Sequence, residues 1–328
     1  MKLISIVTPC FNEEENIAPL VGRLRAVFAT MPQYRFEHIL IDNASTDATV
    51  AKIKELAATD KRIKLITNTR NFGHIRSPVH ALLAATGDAV VGMASDLQDP
   101  PEMIPQFIAE WEKGVKMVLA VKPKSRETPL MFLARRFYYR TIGRISEVEL
   151  IPDCTGFGLY DRQVIRAVRD IDDPYPYFRG LVAELGFDYV TIPFEQPRRL
   201  RGLSKNNFYT LYDLAMLGMT SHSKVPIRLA TIAGFTLSGL SMLIALAYLI
   251  AKLIFWDSFS LGTAPVLIGM FFFASVQLFF IGILGEYIAS IHTHVMKRPL
   301  VVEKERVNFD TPEASQQPAA TNIANEKR

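Results

Sequence analysis

The residues best suited to chemistry fall in three short segments: Asn12 and Glu13, then Asp42 and Asn43, then Asp96, Gln98 and Asp99. Each segment lies at or just past the end of an apolar, β-branched run, at residues 3–7, 38–41 and 89–93. Acids and amides at strand ends can accept hydrogen bonds from a base or a ribose. A carboxylate such as Asp96 can also hold a divalent cation that neutralises phosphates through oxygen ligands. The chemistry this suggests is use of a nucleotide-diphosphate ligand with Mg2+ or Mn2+, and transfer of the group it carries. No G-x-G-x-x-G follows the first strand and no G-x-x-x-x-G-K-[ST] loop is present, so dinucleotide and P-loop chemistry have no support. Cys10 and Cys154 are the two cysteines, which excludes a disulfide framework.

Positioning these groups requires a regular scaffold, and the sequence supplies one. Residues 16–30 place Ile17, Leu20, Val21, Leu24 and Val27 on one helical face. Residues 47–58 are helical, 63–67 read as a third strand, and 81–85 lie on a helix. The alternation predicts an α/β domain built on a parallel sheet with helices on both faces. In such sheets ligands bind beyond the carboxyl ends of the strands, where the acids and amides stand.

The chain has 328 residues, is 49% hydrophobic and carries a net charge of +4. That charge is too mild to argue for a nucleic-acid partner. The apolar residues are unevenly spread. Between Arg228 and Lys252 no charge occurs, and a second uncharged run extends from Ser258 to Gly285. A bilayer core needs about 20 apolar residues in a helix, so both runs predict spans, at about 229–251 and 263–285. Lys224 and Arg228 precede the first, and Lys297 and Arg298 follow the second. The positive-inside rule then places the soluble domain and both termini in the cytoplasm, with a short loop outside. The N-terminus is a poor signal peptide, because Asn12-Glu13-Glu14-Glu15 follows its short apolar run. The expected organisation is a cytoplasmic domain over 1–225, a membrane hairpin over 226–302 and a disordered polar tail over 303–328. Arg135, Arg136, Arg140 and Arg144, interleaved with aromatic rings, form either a solvated helix face or an amphipathic helix on the membrane surface.

Ordered motifs add a family resemblance. They are Thr8-Pro9-Cys10-Phe11-Asn12-Glu13-Glu14, Ile41-Asp42-Asn43-Ala44-Ser45-Thr46-Asp47, Arg70-Asn71-Phe72-Gly73 and Asp96-Leu97-Gln98-Asp99-Pro100-Pro101-Glu102. Phe178-Arg179-Gly180-Leu181, Arg199-Leu200-Arg201-Gly202-Leu203-Ser204-Lys205 and Lys297-Arg298-Pro299-Leu300 follow. In order and spacing the chain resembles family 2 glycosyltransferases of the polyprenyl-phosphate type, from about residue 3 to 302. The resemblance implies a GT-A-like nucleotide-sugar-binding domain followed by two transmembrane helices in the cytoplasmic membrane. It implies an inverting, metal-dependent transfer from a nucleotide-diphosphate sugar, UDP-glucose foremost, to undecaprenyl or another polyprenyl phosphate. It also implies assembly as a homo-tetramer.

By the same resemblance Pro9, Asn12, Glu13 and Asp42 hold the nucleotide. Asp96 and Gln98 meet the metal and diphosphate, and Arg199, Ser204 and Lys205 belong to a loop near the phosphates. Two departures stand out. The family writes Asp-Ala-Asp at the metal, where this chain has Ala94-Ser95-Asp96. The family carries Gly-Asp-Phe-Arg-Leu, with the Asp as proposed base, where Gly156 and Gly158 stand here; Asp153 is the substitute candidate. Asp42 could instead serve only its turn, Asp99 reads as a helix cap, and His74 as a surface or supporting residue. A catalytically impaired membrane scaffold is the alternative function. A processive polysaccharide synthase is disfavoured because neither Trp111 nor Trp256 follows an Arg.

Overall fold

The computed structural model describes residues 1–122, 151, 154–195, 197, 216–217, 225–254 and 263–309. Buried β-branched runs form the strands and amphipathic runs the helices. In chain order these are β1 (Leu3–Cys10), α1 (Glu14–Ala29), β2 (Arg35–Asp42), α2 (Thr49–Thr59), β3 (Ile63–Asn68), α3 (Gly73–Ala84), β4 (Ala89–Gly92), α4 (Ile104–Glu112) and β5 (Met117–Val121). After them come β6 (Cys154–Asp161), α5 (Arg162–Ile171), α6 (Phe178–Glu184), β7 (Tyr189–Pro193), α7 (Val225–Ile254), α8 (Thr263–Val295) and β8 (Glu303–Val307).

One eight-stranded sheet runs β7-β5-β6-β4-β1-β2-β3-β8. Its heart, β4-β1-β2-β3, is parallel as the alternation predicts. The periphery is not: β6 runs antiparallel to both β4 and β5, and β8 antiparallel to β3. Leu20, Leu24, Phe107 and Trp111 cover one face, and Val79, Leu82, Val164 and Ile165 the other. The third helix starts at Gly73, well before the expected 81–85, because Asn43 fixes its first turn, as described below.

Both expected spans are helical. The second continues past residue 285 to Val295. Two segments of these helices, Val225–Ile244 and Phe272–Val295, are long and apolar enough to cross a membrane, and only 6% of each is buried within the protein. Phe235, 75% exposed, shows what the apolar faces require: a non-aqueous surrounding.

The tail expected from residue 303 needs correction. Residues 303–307 are β8, which closes the sheet edge beyond β3. Lys54 Nζ pairs with Glu305 at 2.6 Å, His80 Nε2 meets Glu303 at 2.5 Å, and Thr69 N donates to the Val302 carbonyl at 2.9 Å. Polar composition misled here because β8 is an edge strand: its charged side chains face water while its backbone completes the ladder. Residues 310–328 lie outside the described part.

His38 on β2 is wholly buried and bonds to Thr8 Oγ1 at 3.0 Å. Burial pushes its imidazole down from the ordinary 6.5 to about 3. The unfolded chain therefore takes up a proton below pH 6.5 that the folded chain refuses. Stability is full above that pH and falls as pH drops toward 3, by about 2 kcal/mol at pH 5. His38→Gln removes the proton uptake. Thermal unfolding in detergent should show a smaller fall in melting temperature from pH 7.5 to 5.0 than the parent shows; equal falls would contradict this.

Candidate active site

Register brings the strand ends together. Cys10 at the end of β1 lies beside Asp42 at the end of β2, and Val7 lies beside Gly92 at the end of β4. Just past these ends the backbone turns sharply. Asn12 (φ 56°), Ala44 (φ 64°) and Leu97 (φ 62°) all hold left-handed conformations. Such conformations are uncommon outside glycine and cluster where a backbone must be held in an unusual shape.

Asp42 is fully buried. Its Oδ2 accepts from Ser45 N at 3.0 Å, so the turn reading holds for one oxygen. Its Oδ1 is buried with no hydrogen-bond partner among the described residues. A buried acceptor left without a donor is costly, and a ligand N–H or O–H can satisfy it.

Asn12 and Glu13 brace the neighbouring loop. Asn12 Oδ1 accepts from Thr46 N at 2.8 Å and Asn12 N donates to Ser45 Oγ at 2.8 Å. Glu13 N donates to Thr49 Oγ1 at 2.9 Å, and its Oε2 accepts from Asn16 Nδ2 at 2.6 Å. Pro9 instead lines a cavity of about 260 Å³ with His74, Asp99, Gly156, Tyr177 and Arg179. The Cys10 thiol is buried, and burial with the nearby Asp42 and Glu13 charges raises its pKa well above the ordinary value. It packs as a neutral group.

Asn43 explains a motif. Its Nδ2 donates to Asn71 Oδ1 at 2.8 Å and to the Gly73 carbonyl at 3.1 Å. Its Oδ1 accepts from Asn68 Nδ2 at 3.1 Å and from Phe72 N at 2.9 Å. One buried amide thus fixes Arg70-Asn71-Phe72-Gly73 and starts α3.

Asp96 Oδ1 accepts from Gln98 N at 3.2 Å, while the Gln98 amide nitrogen donates to the Pro197 carbonyl at 3.0 Å. Asp99 is not a helix cap. The 3-10 turn Pro101–Met103 opens on Pro100 with no side-chain cap. Asp99 is buried instead, and its Oδ2 accepts from Ala94 N at 2.8 Å. A carboxylate therefore stands against position 94, where the family's first metal acid is missing. Burial, reinforced by Asp96, pushes the Asp99 carboxyl up to about 6. Among the described residues no group of three His, Cys, Asp or Glu gathers as a metal site. Asp96 and Asp99 are close enough that the charge of one acts on the other.

The second departure also resolves. Gly158 in β6 pairs with Gly92 on one side and Leu119 on the other, and a Cβ there would lie 2.6 Å from the Val118 carbonyl oxygen. Close strand packing excludes a side chain. Gly156 holds φ +91°, and a Cβ there would lie 3.8 Å from Arg179 Nε and Nη2. Arg179 on α6 donates from Nη2 to the Thr155 carbonyl at 2.8 Å. A cation thus faces the place of the family's base. His74 lines the same cavity, and burial with Arg179 pushes its imidazole below the ordinary value. Asp153, Arg199, Ser204 and Lys205 lie outside the described residues.

The fold and site define a GT-A-like transferase domain. Residues 5–169 match the family described as Glycosyl transferase family 2. A glycosyltransferase of Synechocystis sp. described as uncharacterized is 31% identical, over 90% of this chain and 93% of its own. A second from Bacillus subtilis is 32% identical over 93% and 94%. The SfII prophage-derived bactoprenol glucosyl transferase of Shigella flexneri is 33% identical over 92% and 97%. The chain belongs to glycosyl transferase family 2.

Ionised Asp99 weakens the ligand-free fold. Because its folded pKa is raised, the stability present below about pH 4 is lost as pH rises through 6. Asp99→Asn should stabilise the ligand-free fold in chelator at pH 7.5 by on the order of 1–3 kcal/mol, read as a raised melting temperature, with the gain vanishing at pH 4. No gain at pH 7.5 would contradict the assignment.

Proposed function

We propose that this chain transfers a hexosyl group from a nucleotide-diphosphate sugar, UDP-glucose foremost, to polyprenyl phosphate at the cytoplasmic face of a membrane. The observation that carries this reading is the Arg179 guanidinium facing Gly156. A hydroxyl acceptor needs a base, and a general base contributes about 10²–10⁴-fold when a proton must leave. A phosphate acceptor, with a second pKa near 6, is already ionised at neutral pH. It needs a cation to place it, which Arg179 supplies. The bactoprenol glucosyl transferases among the relatives point to the same acceptor class and to glucose.

In this reading the Asp42 Oδ1 accepts a hydrogen bond from the base or ribose, while Asn12 and Glu13 brace the Ser45–Thr49 loop beside it and Pro9 lines the adjoining cavity. Asp96 and Asp99, with the Gln98 oxygen, would hold Mg2+ or Mn2+. The bound cation would neutralise the donor diphosphate. Two carboxylates suffice because Mg2+ keeps several waters and takes few protein ligands. The acceptor phosphate oxygen attacks the anomeric carbon from the face opposite the diphosphate. The new C–O bond forms as the old one breaks, the nucleoside diphosphate departs with the electron pair, and configuration inverts. Positioning and charge neutralisation supply the acceleration. We assign Arg199, Ser204 and Lys205 the charge-neutralising role toward the donor phosphates that the family resemblance implies. The hairpin over 226–302 anchors the domain with both ends cytoplasmic and provides the tetramer contacts.

The scaffold alternative leaves the orphaned Asp42 Oδ1 and the costly Asp99 without a purpose. A processive synthase has no support from Trp111, which packs in the core and donates to Asp161 Oδ2 at 2.8 Å.

Membranes containing the protein, given radiolabelled nucleotide sugars and undecaprenyl phosphate, should yield lipid-linked label. Asp96→Ala should cut it by about 10²-fold or more. The rate constant for acceptor should rise through pH 6, where the acceptor phosphate and Asp99 both ionise, and then level. Absence of transfer with every nucleotide sugar, alongside intact nucleotide binding, would overturn the proposal.

A further inference from the structure

Outside the cavity, two guanidinium groups gather on one ring and a third stands close by. The Arg70 guanidinium lies 4.1 Å from the centre of the Phe72 ring and that of Arg76 lies 5.3 Å from it. Arg298 is near enough to Arg76 to act on its charge. Burial first, then Arg70 and, more weakly, Arg298 push the Arg76 pKa below its ordinary value. Arg76 donates through Nη2 to the Pro299 carbonyl, while its Nε is buried with no hydrogen-bond partner among the described residues. Among the described residues none of the three forms an ion pair with a carboxylate. Like charges collected without a counter-charge repel one another, and an anion relieves them.

Place decides which anion. Arg298 follows α8, which ends at Val295, so it stands where that helix would leave a bilayer. Arg70 and Phe72 lead into α3, whose His74, Ile75 and Pro78 line the cavity. Tyr175, near enough to Arg76 to act on its charge, precedes Pro176 and Tyr177, which also line it. His294 Nε2 meets Asp173 Oδ1 at 3.3 Å, which ties this loop to α8. The cluster therefore bridges the helix end and the cavity mouth. Of the donor-site residues, Pro9 and Asp99 line the cavity itself, while Asp42 lies at the end of β2.

We propose that Arg70, Arg76 and Arg298 form the docking site for the phosphate head of the lipid acceptor as it passes from the bilayer surface to the cavity. This rests on the reading of the acceptor as a polyprenyl phosphate. Guanidinium groups steadied on an aromatic face present paired N–H donors to phosphate oxygens. The ring also offers an apolar neighbour to the first isoprene unit.

The test uses the full chain in neutral detergent, with undecaprenyl phosphate, UDP-glucose and no anionic lipid. Arg70→Gln, Arg76→Gln and Arg298→Gln should each raise the acceptor KM by about tenfold. The donor KM should stay within about twofold, and Arg→Lys should recover part of the loss. Nucleotide titration by calorimetry shows that each variant is folded. A parallel arm measures retention of undecaprenyl phosphate by parent and triple variant without donor. If the parent transfers no sugar but retains the lipid, and the triple variant loses it, the site stands and only the transferase reading falls. Unchanged acceptor KM, a raised donor KM, or a loss seen only in phosphatidylglycerol vesicles overturns the site. The last outcome assigns the cluster to bulk anionic lipid.

Discussion

Everything at this site depends on polar groups buried at the carboxyl edge of a parallel sheet and left incompletely satisfied by the protein. Asp42 spends one oxygen on its own turn and keeps the other buried, without a partner among the described residues. Asp99 is held against the Ala94 backbone in surroundings that resist its charge. Neither arrangement helps the empty fold. Both suit a ligand that brings donors to Asp42 and positive charge to Asp96 and Asp99, as a nucleotide diphosphate with its cation does. Three left-handed non-glycine residues beside these groups fit the same account: local backbone preference gives way where a site needs a particular shape.

The α/β character, the central strands and the two apolar helices were legible in the sequence because each rests on strong periodicity or on long uncharged runs. The antiparallel partners β6 and β8 were not. Pairing direction is a tertiary matter, and the charged side chains of β8 disguise it as tail. Asp42 and Asp96 stand out in the sequence because strand ends announce themselves. Asp99 was misread because Asp-Pro-Pro-Glu is a good helix-start signal, and burial is invisible in it. Arg179 stood in a quoted motif, but nothing along the chain brings it to Gly156; only the packing of α6 against β6 does. Gly158 looked like a lost arginine and is a close strand contact.

The segment after the second apolar helix joins the two halves of the molecule. From Pro299 to Val307 the chain returns to α3 and β3, meeting Arg76, His80 and Lys54 on the way. The same helix that lines the cavity is therefore clasped to the membrane-proximal end of α8. A lipid acceptor demands this geometry, because its phosphate can rise only slightly from the bilayer while the donor arrives from water.

The central claim is that the strand-end carboxylates exist to hold a nucleotide diphosphate. Calorimetric titration of UDP into the full chain tests it most directly. Binding should require Mn2+ or Mg2+, vanish in chelator, and weaken by about tenfold or more in Asp42→Asn, where one buried acceptor loses its charge. Equal affinity in parent and variant, with or without the cation, would contradict the account.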